Sequence, residues 1–137
     1  MFSVIISSDS RYQVNKTVLL NTAVKSLESH GLKGQVEMEI NIIGDRKMHD
    51  LNKKYRNLDY TTDILTFALE DPNPQNAHEM SRVGFIASPD HMLRLGLICI
   101  SYPQAVVDAL DDGKSVEEEI VFLVDHGINH LLGFHHG

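Results

Sequence analysis

Two periods of hydrophobicity run along this chain, and the places where one gives way to the other mark its elements. Val36, Met38, Ile40 and Ile42 alternate with Glu37, Glu39 and Asn41. That is the period of two of a strand with one dry face and one wet face, and it predicts an antiparallel-like strand at or near a sheet edge. Val4-Ile5-Ile6 offers a short first strand. Ile64 to Leu69 is β-branched, aromatic and apolar throughout, which also predicts a strand. Leu95 to Ile100 reads as another, with a shorter one over Val83 to Ala87.

Elsewhere the period is helical. From Asn15, the apolar residues Val18, Leu19, Ala23 and Leu27 recur at helical spacing until Gly31, a natural left-handed stop. Gly44 turns the chain, Asp45 is placed to cap a second helix, and Met48, Leu51 and Tyr55 form its apolar stripe. Pro103 at a first helical position opens a helix that ends by Gly113. The polar stretch from Asp71 to about Ser81, with Pro72 and Pro74, predicts an excursion over the surface. The last helix has the strongest start signal, because Ser115 and Glu118 form a capping box. Val116, Ile120, Leu123, Gly127 and Leu131 then define its core face, while Glu119, Phe122, His126 and His130 mark a different side. The pattern predicts an α+β fold: a small mixed β-sheet packed with helices, with a zincin-like metal helix near the C-terminus. One hydrolase domain would span 1–137.

Composition narrows the class. A chain of 137 residues, 42% hydrophobic and 23% charged, can bury a core without staples. Its single cysteine, Cys99, precludes an internal disulfide and fits a reducing compartment. No stretch is long and apolar enough to cross a membrane, so the cytoplasm is the expected location. A formal net charge of -7 argues against coating nucleic acid by bulk electrostatics. The basic residues are nevertheless concentrated, with Arg46, Lys47, Lys53, Lys54 and Arg56 in one short segment. His30, His49, His78 and His91 are scattered and read as ordinary surface residues.

The remaining histidines carry the chemistry. His126 and His130, four apart, lie on one helix face, and Gly133 can break the helix to return His136 as a third donor. Three imidazoles with no fourth protein ligand describe a catalytic zinc site with a position left for water, although nickel, cobalt and copper also suit such donors. His135 competes with His136 for the third place or points to solvent or substrate. The register matches the metzincin signature His-Glu-x-x-His-x-x-Gly-x-x-His except that Gly127 stands in place of the Glu that serves there as general base. A glycine inside a helix costs about 1 kcal/mol relative to alanine, which predicts close approach by another backbone. Thr62 and Asp63, just before a strand, are placed to shape a cleft or to orient a ligand histidine through its other ring nitrogen.

His126 to His136 resembles the hallmark His-Gly-x-Leu-His-Leu-x-Gly-Tyr-Asp-His of the YbeY family of bacterial endoribonucleases, with Asn129, Phe134 and His135 as departures. Leu51-Asn52-Lys53-Lys54-Tyr55-Arg56 and Thr62-Asp63-Ile64-Leu65-Thr66-Phe67 match a second family block. Leu95-Gly96-Leu97-Ile98 matches a third, with Leu97 where the family has an acid. The likeness covers nearly the whole chain. It implies a single-strand-specific endoribonuclease in ribosomal RNA maturation and ribosome quality control, dependent on one zinc ion. Its partners would be ribosomal RNA and, at the small ribosomal subunit, ribosomal proteins. Arg56 matches the family arginine and is the candidate catalytic residue, since a guanidinium can hold two phosphate oxygens at once. The resemblance leaves open attack by metal-activated water or by a 2′-hydroxyl on a metal-polarised phosphate. Two other readings stand beside it: a zinc-dependent protease-like hydrolase, and a ribosome-binding protein stapled by its metal without catalysis.

Overall fold

A computed structural model describes residues 1–69 and 92–133. The expected excursion after Asp71, the strand expected over Val83 to Ala87, and His78, His91, Phe134, His135 and His136 lie outside the described residues. In chain order the elements are β1 (Phe2–Ser8), α1 (Lys16–Ser29), β2 (Val36–Ile43), α2 (Asp45–Arg56), β3 (Ile64–Ala68), β4 (Leu93–Ser101), α3 (Tyr102–Asp112) and α4 (Val116–Leu131).

Local signals set most helix ends. Asn15 caps α1 by accepting from the Val18 amide at 3.1 Å. Ser115 and Glu118 close the capping box of α4 with reciprocal bonds of 3.0 and 3.1 Å, and these bonds hold the Glu118 carboxyl below its usual range. Asp45 departs from expectation. The N-cap of α2 is Gly44, which has no side chain to cap with, and Asp45 is already helical. Its carboxylate is taken by distant donors: the Thr61 hydroxyl at 2.6 Å, the Ser101 hydroxyl at 3.2 Å and the Gln104 amide at 3.2 Å.

The sheet order is β1-β2-β4-β3. β2 pairs in parallel with β1 on one side and β4 on the other, and only β3 runs antiparallel, against β4. The alternating strand is therefore neither an edge nor antiparallel, contrary to its pattern. Alternation reports that one face is dry, not how many neighbours a strand has. Helices α1 and α4 cover the face bearing Met38, Ile40, Ile42, Ile98 and Ile100. On the other face α2 covers only the β3–β4 side, over Ile43, Leu65 and Cys99. Glu37, Glu39 and Asn41 stay half-buried beyond it.

β4 lacks clean alternation because it carries a bulge. Arg94 faces Glu37 and Gly96 faces Met38, so Leu95 is the extra residue and joins the main core with Ile98. Gly96 has φ +143°, and a Cβ there would collide with the Phe67 carbonyl oxygen. Gly127 has another cause than the expected backbone contact. Its missing Cβ would lie 2.9 Å from Ile98 Cδ1 and 3.1 Å from Ile64 Cδ1, so it seats α4 directly on sheet side chains. Among the described residues no helix is long and apolar enough to cross a membrane.

Candidate functional site

His126 and His130 occupy the last turns of α4, one turn apart, and their rings meet edge to face. The Nε2 atoms are 3.1 Å apart. Two ligands of one tetrahedral zinc at about 2.05 Å would have nitrogens about 3.3 Å apart. The observed spacing is hydrogen-bond distance for one protonated and one bare nitrogen, and it is close to the separation two ligands of one ion would have. His126 is half-buried beneath the parallel ring of Phe122, with centroids 6.0 Å apart, whereas His130 is exposed. Gly127, between them, sinks into the sheet, so the imidazoles are held at a fixed height above it. Among the described residues no three His, Cys, Asp or Glu side chains close on one point. Of the expected donors the structure describes His126 and His130, while His136 and its competitor His135 lie outside the described residues.

The other expected site residues are spread over both layers. Arg56 ends α2, exposed, on the sheet face opposite α4. Between it and the histidines the route runs around β3, the edge strand, on which Tyr55 rests edgewise against Phe67 at 5.2 Å. All five basic residues of the segment are exposed on α2. Lys53, Lys54 and Arg56 gather at its C-terminal turn, where the helix dipole favours cations. Asn52 is buried and donates to the Tyr60 carbonyl at 2.8 Å, a structural role that pins the turn after α2. Leu97 packs on the α2-side cluster beside Phe67, so an apolar contact occupies the position of the family's acid. His30 caps α1 with Nδ1 2.7 Å from the Ser26 carbonyl, and His49 pairs with Asp59 at 2.8 Å.

Thr62 and Asp63 sit at the start of β3, and the Thr62 hydroxyl is 3.4 Å from the Asp63 carboxylate. The Asp63 carbonyl accepts from the Ser101 amide at 2.9 Å, which fixes the residue beside the first turn of α3. Its carboxyl is turned to Asp108 of α3. Sequence reading missed this neighbourhood. Burial, reinforced by Asp63, pushes the Asp108 carboxyl up to about 6. Glu119, expected on the outer side of α4, is 2% exposed, and burial with the Asp112 carboxyl beside it raises its pKa. The one available signal was the spacing of Asp108 and Asp112, one helical turn apart.

The fold and the α4 pair define an α+β protein with a histidine-bearing helix laid on a small mixed sheet. A family model described as endoribonuclease YbeY matches residues 5–137. The chain belongs to the endoribonuclease YbeY family. It is 38% identical over 134 residues to an endoribonuclease YbeY of Dehalococcoides mccartyi, covering 98% of this chain and 77% of that one. The corresponding figures for an endoribonuclease YbeY of Roseiflexus castenholzii are 37% identity over 123 residues, 90% and 71%. In fold, the solution structure of a Thermotoga maritima protein is similar, with a TM-score of 0.57 at 22% identity over 98% of this chain and 75% of that one.

Proposed function

We propose that this chain is a metal-dependent, single-strand-specific endoribonuclease acting in ribosomal RNA maturation and ribosome quality control in the cytoplasm, with one zinc ion held by His126, His130 and His136. The observation that carries the reading is the 3.1 Å convergence of the His126 and His130 Nε2 atoms, in a chain of the endoribonuclease YbeY family. A bound zinc ion supplies Lewis-acid polarisation of a phosphoryl oxygen and a more acidic water. The chain supplies the rest. Neutral imidazoles present lone pairs at fixed height because α4 is seated on Ile98 and Ile64 through Gly127. Arg56 holds nonbridging phosphate oxygens by paired charged hydrogen bonds. The exposed cations of α2 offset, locally, the repulsion between RNA and a chain of net charge -7. Thr62 and Asp63 shape the cleft at the start of β3, and His135 stands beside the third ligand. The partners of this reading are ribosomal RNA and the small ribosomal subunit with its proteins.

A protease-like reading fits less well. The position of the metzincin base is Gly127, which faces the sheet and has no room even for a Cβ without displacing Ile98 and Ile64. The test is cleavage of single-stranded ribosomal RNA fragments by purified chain with and without a chelator. Cleavage should stop with the chelator and in His130→Ala, and should weaken in Arg56→Glu. Undiminished cleavage by His130→Ala would overturn the proposal.

A further inference from the structure

β3 closes the sheet on one side, and β4 is its only strand neighbour among the described residues. At its two ends the Ser101 amide donates to the Asp63 carbonyl at 2.9 Å, and the Leu69 amide to the Leu95 carbonyl at 3.0 Å. Antiparallel partners alternate between bonded and non-bonded positions, so Asp63, Leu65, Phe67 and Leu69 turn their polar groups toward β4. Ile64, Thr66 and Ala68 turn theirs outward, one N–H and one C=O each. The same three residues direct their side chains to the α4 face, because Ile64 lies under Gly127 and side chains alternate along a strand. Thr66 pairs across from Ile98, the other isoleucine under Gly127, so the outward groups border the turn between His126 and His130. Neither a charged residue nor a proline guards this edge.

We propose that the outer edge of β3 is a rail for the sugar-phosphate backbone of a single RNA strand. The Thr66 and Ala68 amides donate to phosphate oxygens, and the Thr66 carbonyl accepts from a 2′-hydroxyl. The rail rests on the endoribonuclease reading above and states how that site holds its strand. Arg56 lies on the α2 face and the imidazoles on the α4 face, so an RNA strand that meets both must round β3. Outward positions of the strand recur at about 6.8 Å and present one donor and one acceptor per repeat. An extended ribonucleotide chain repeats over a similar length, with one phosphate that accepts and one 2′-hydroxyl that donates. DNA lacks the second partner and leaves the carbonyl unpaired. A duplex backbone winds away from a straight edge. Main-chain groups alone thus favour single-stranded RNA, with no base read.

The experiment follows amide hydrogen exchange in the full chain by nuclear magnetic resonance, with a chelator present to keep an added single-stranded RNA fragment intact. In the free chain the Thr66 and Ala68 amides should exchange about tenfold or more faster than those of Leu65 and Phe67. RNA should slow them by about tenfold or more, and DNA of the same sequence should slow them less. Thr66→Pro and Ala68→Pro each delete one outward donor, at positions where an edge strand tolerates proline. Each should raise KM for RNA by about tenfold with kcat little changed. Because proline can still disturb the strand, exchange in the unaltered chain is the decisive measurement. RNA that binds and is cleaved without slowing the Thr66 and Ala68 amides, or equal slowing by DNA, would overturn the rail and leave the endoribonuclease reading standing. Slowing that grows with protein concentration in the absence of RNA would overturn it in favour of edge-to-edge pairing of two copies. A chain that neither binds nor cleaves RNA would overturn both.

Discussion

The helices on the two faces of the sheet are seated by opposite means. α4 rests on the apolar face through Ile120, Leu123, Val124, Ile128 and Leu131, with Gly127 letting it close on Ile98 and Ile64. α2 rests on a small cluster around Met48, Leu65 and Cys99, and polar pegs do the remaining fastening. Those pegs are Asn52 on the Tyr60 carbonyl and Asp45 among Thr61, Ser101 and Gln104. Each helix also brings an acid into the fold, with contrasting results. Asp45 finds three donors, whereas Glu119 lies beside other carboxylates and its Oε1 has no hydrogen-bond partner among the described residues. A carboxylate met by donors is fastening. One met by its own kind holds its proton more tightly.

Breaking the apolar seat should have the largest effect. Gly127→Glu inserts a charged side chain against Ile98 and Ile64, and we expect a loss of about 4 kcal/mol or more in urea denaturation, with no peptidase activity gained. Removing a polar peg should cost less. Asp45→Ala leaves three donors without their acceptor, and a loss of about 2 kcal/mol is expected; Asn52→Ala should cost about 1–2 kcal/mol. In both, hydrogen exchange should accelerate in α2 more than in α4.

The acidic junction sharpens the contrast through pH. The folded chain keeps the Asp108 proton up to about 6, whereas the unfolded side chain titrates near 3.8. The folded state thus binds more protons between these values, and this group's contribution makes stability fall as pH rises through the window. Thermal midpoints of the wild type relative to Asp108→Asn should decline from roughly pH 4 to 6. An increase would contradict the assignment. The smallest effect concerns Cys99, whose thiol is pushed up to about 11 by burial. It should react with thiol reagents at neutral pH only as fast as the native state opens.

Much of the local structure was legible in the residues. Asn15, Ser115 and Glu118 announced helix starts because a cap bonds within three residues of itself. The i,i+4 histidines announced a shared face for the same local reason. The sequence also placed β3 and β4 to within a residue or two. Neighbours were not legible. β2 read as an edge and is internal, Asp45 read as a cap and serves as an anchor, and Glu119 read as outward and is buried.

By itself the chain of residues determined where helices and strands begin, which of their sides are apolar, that His126 and His130 share a helix face, and the family to which the protein belongs. These follow from interactions within a few positions and from motif identity. Only the tertiary structure decided strand order, the seating of Gly127 on two isoleucines, and the meeting of Asp63 with Asp108 and of Asp112 with Glu119. Such pairings depend on which distant segments share the limited space around the sheet, and no local period carries that information.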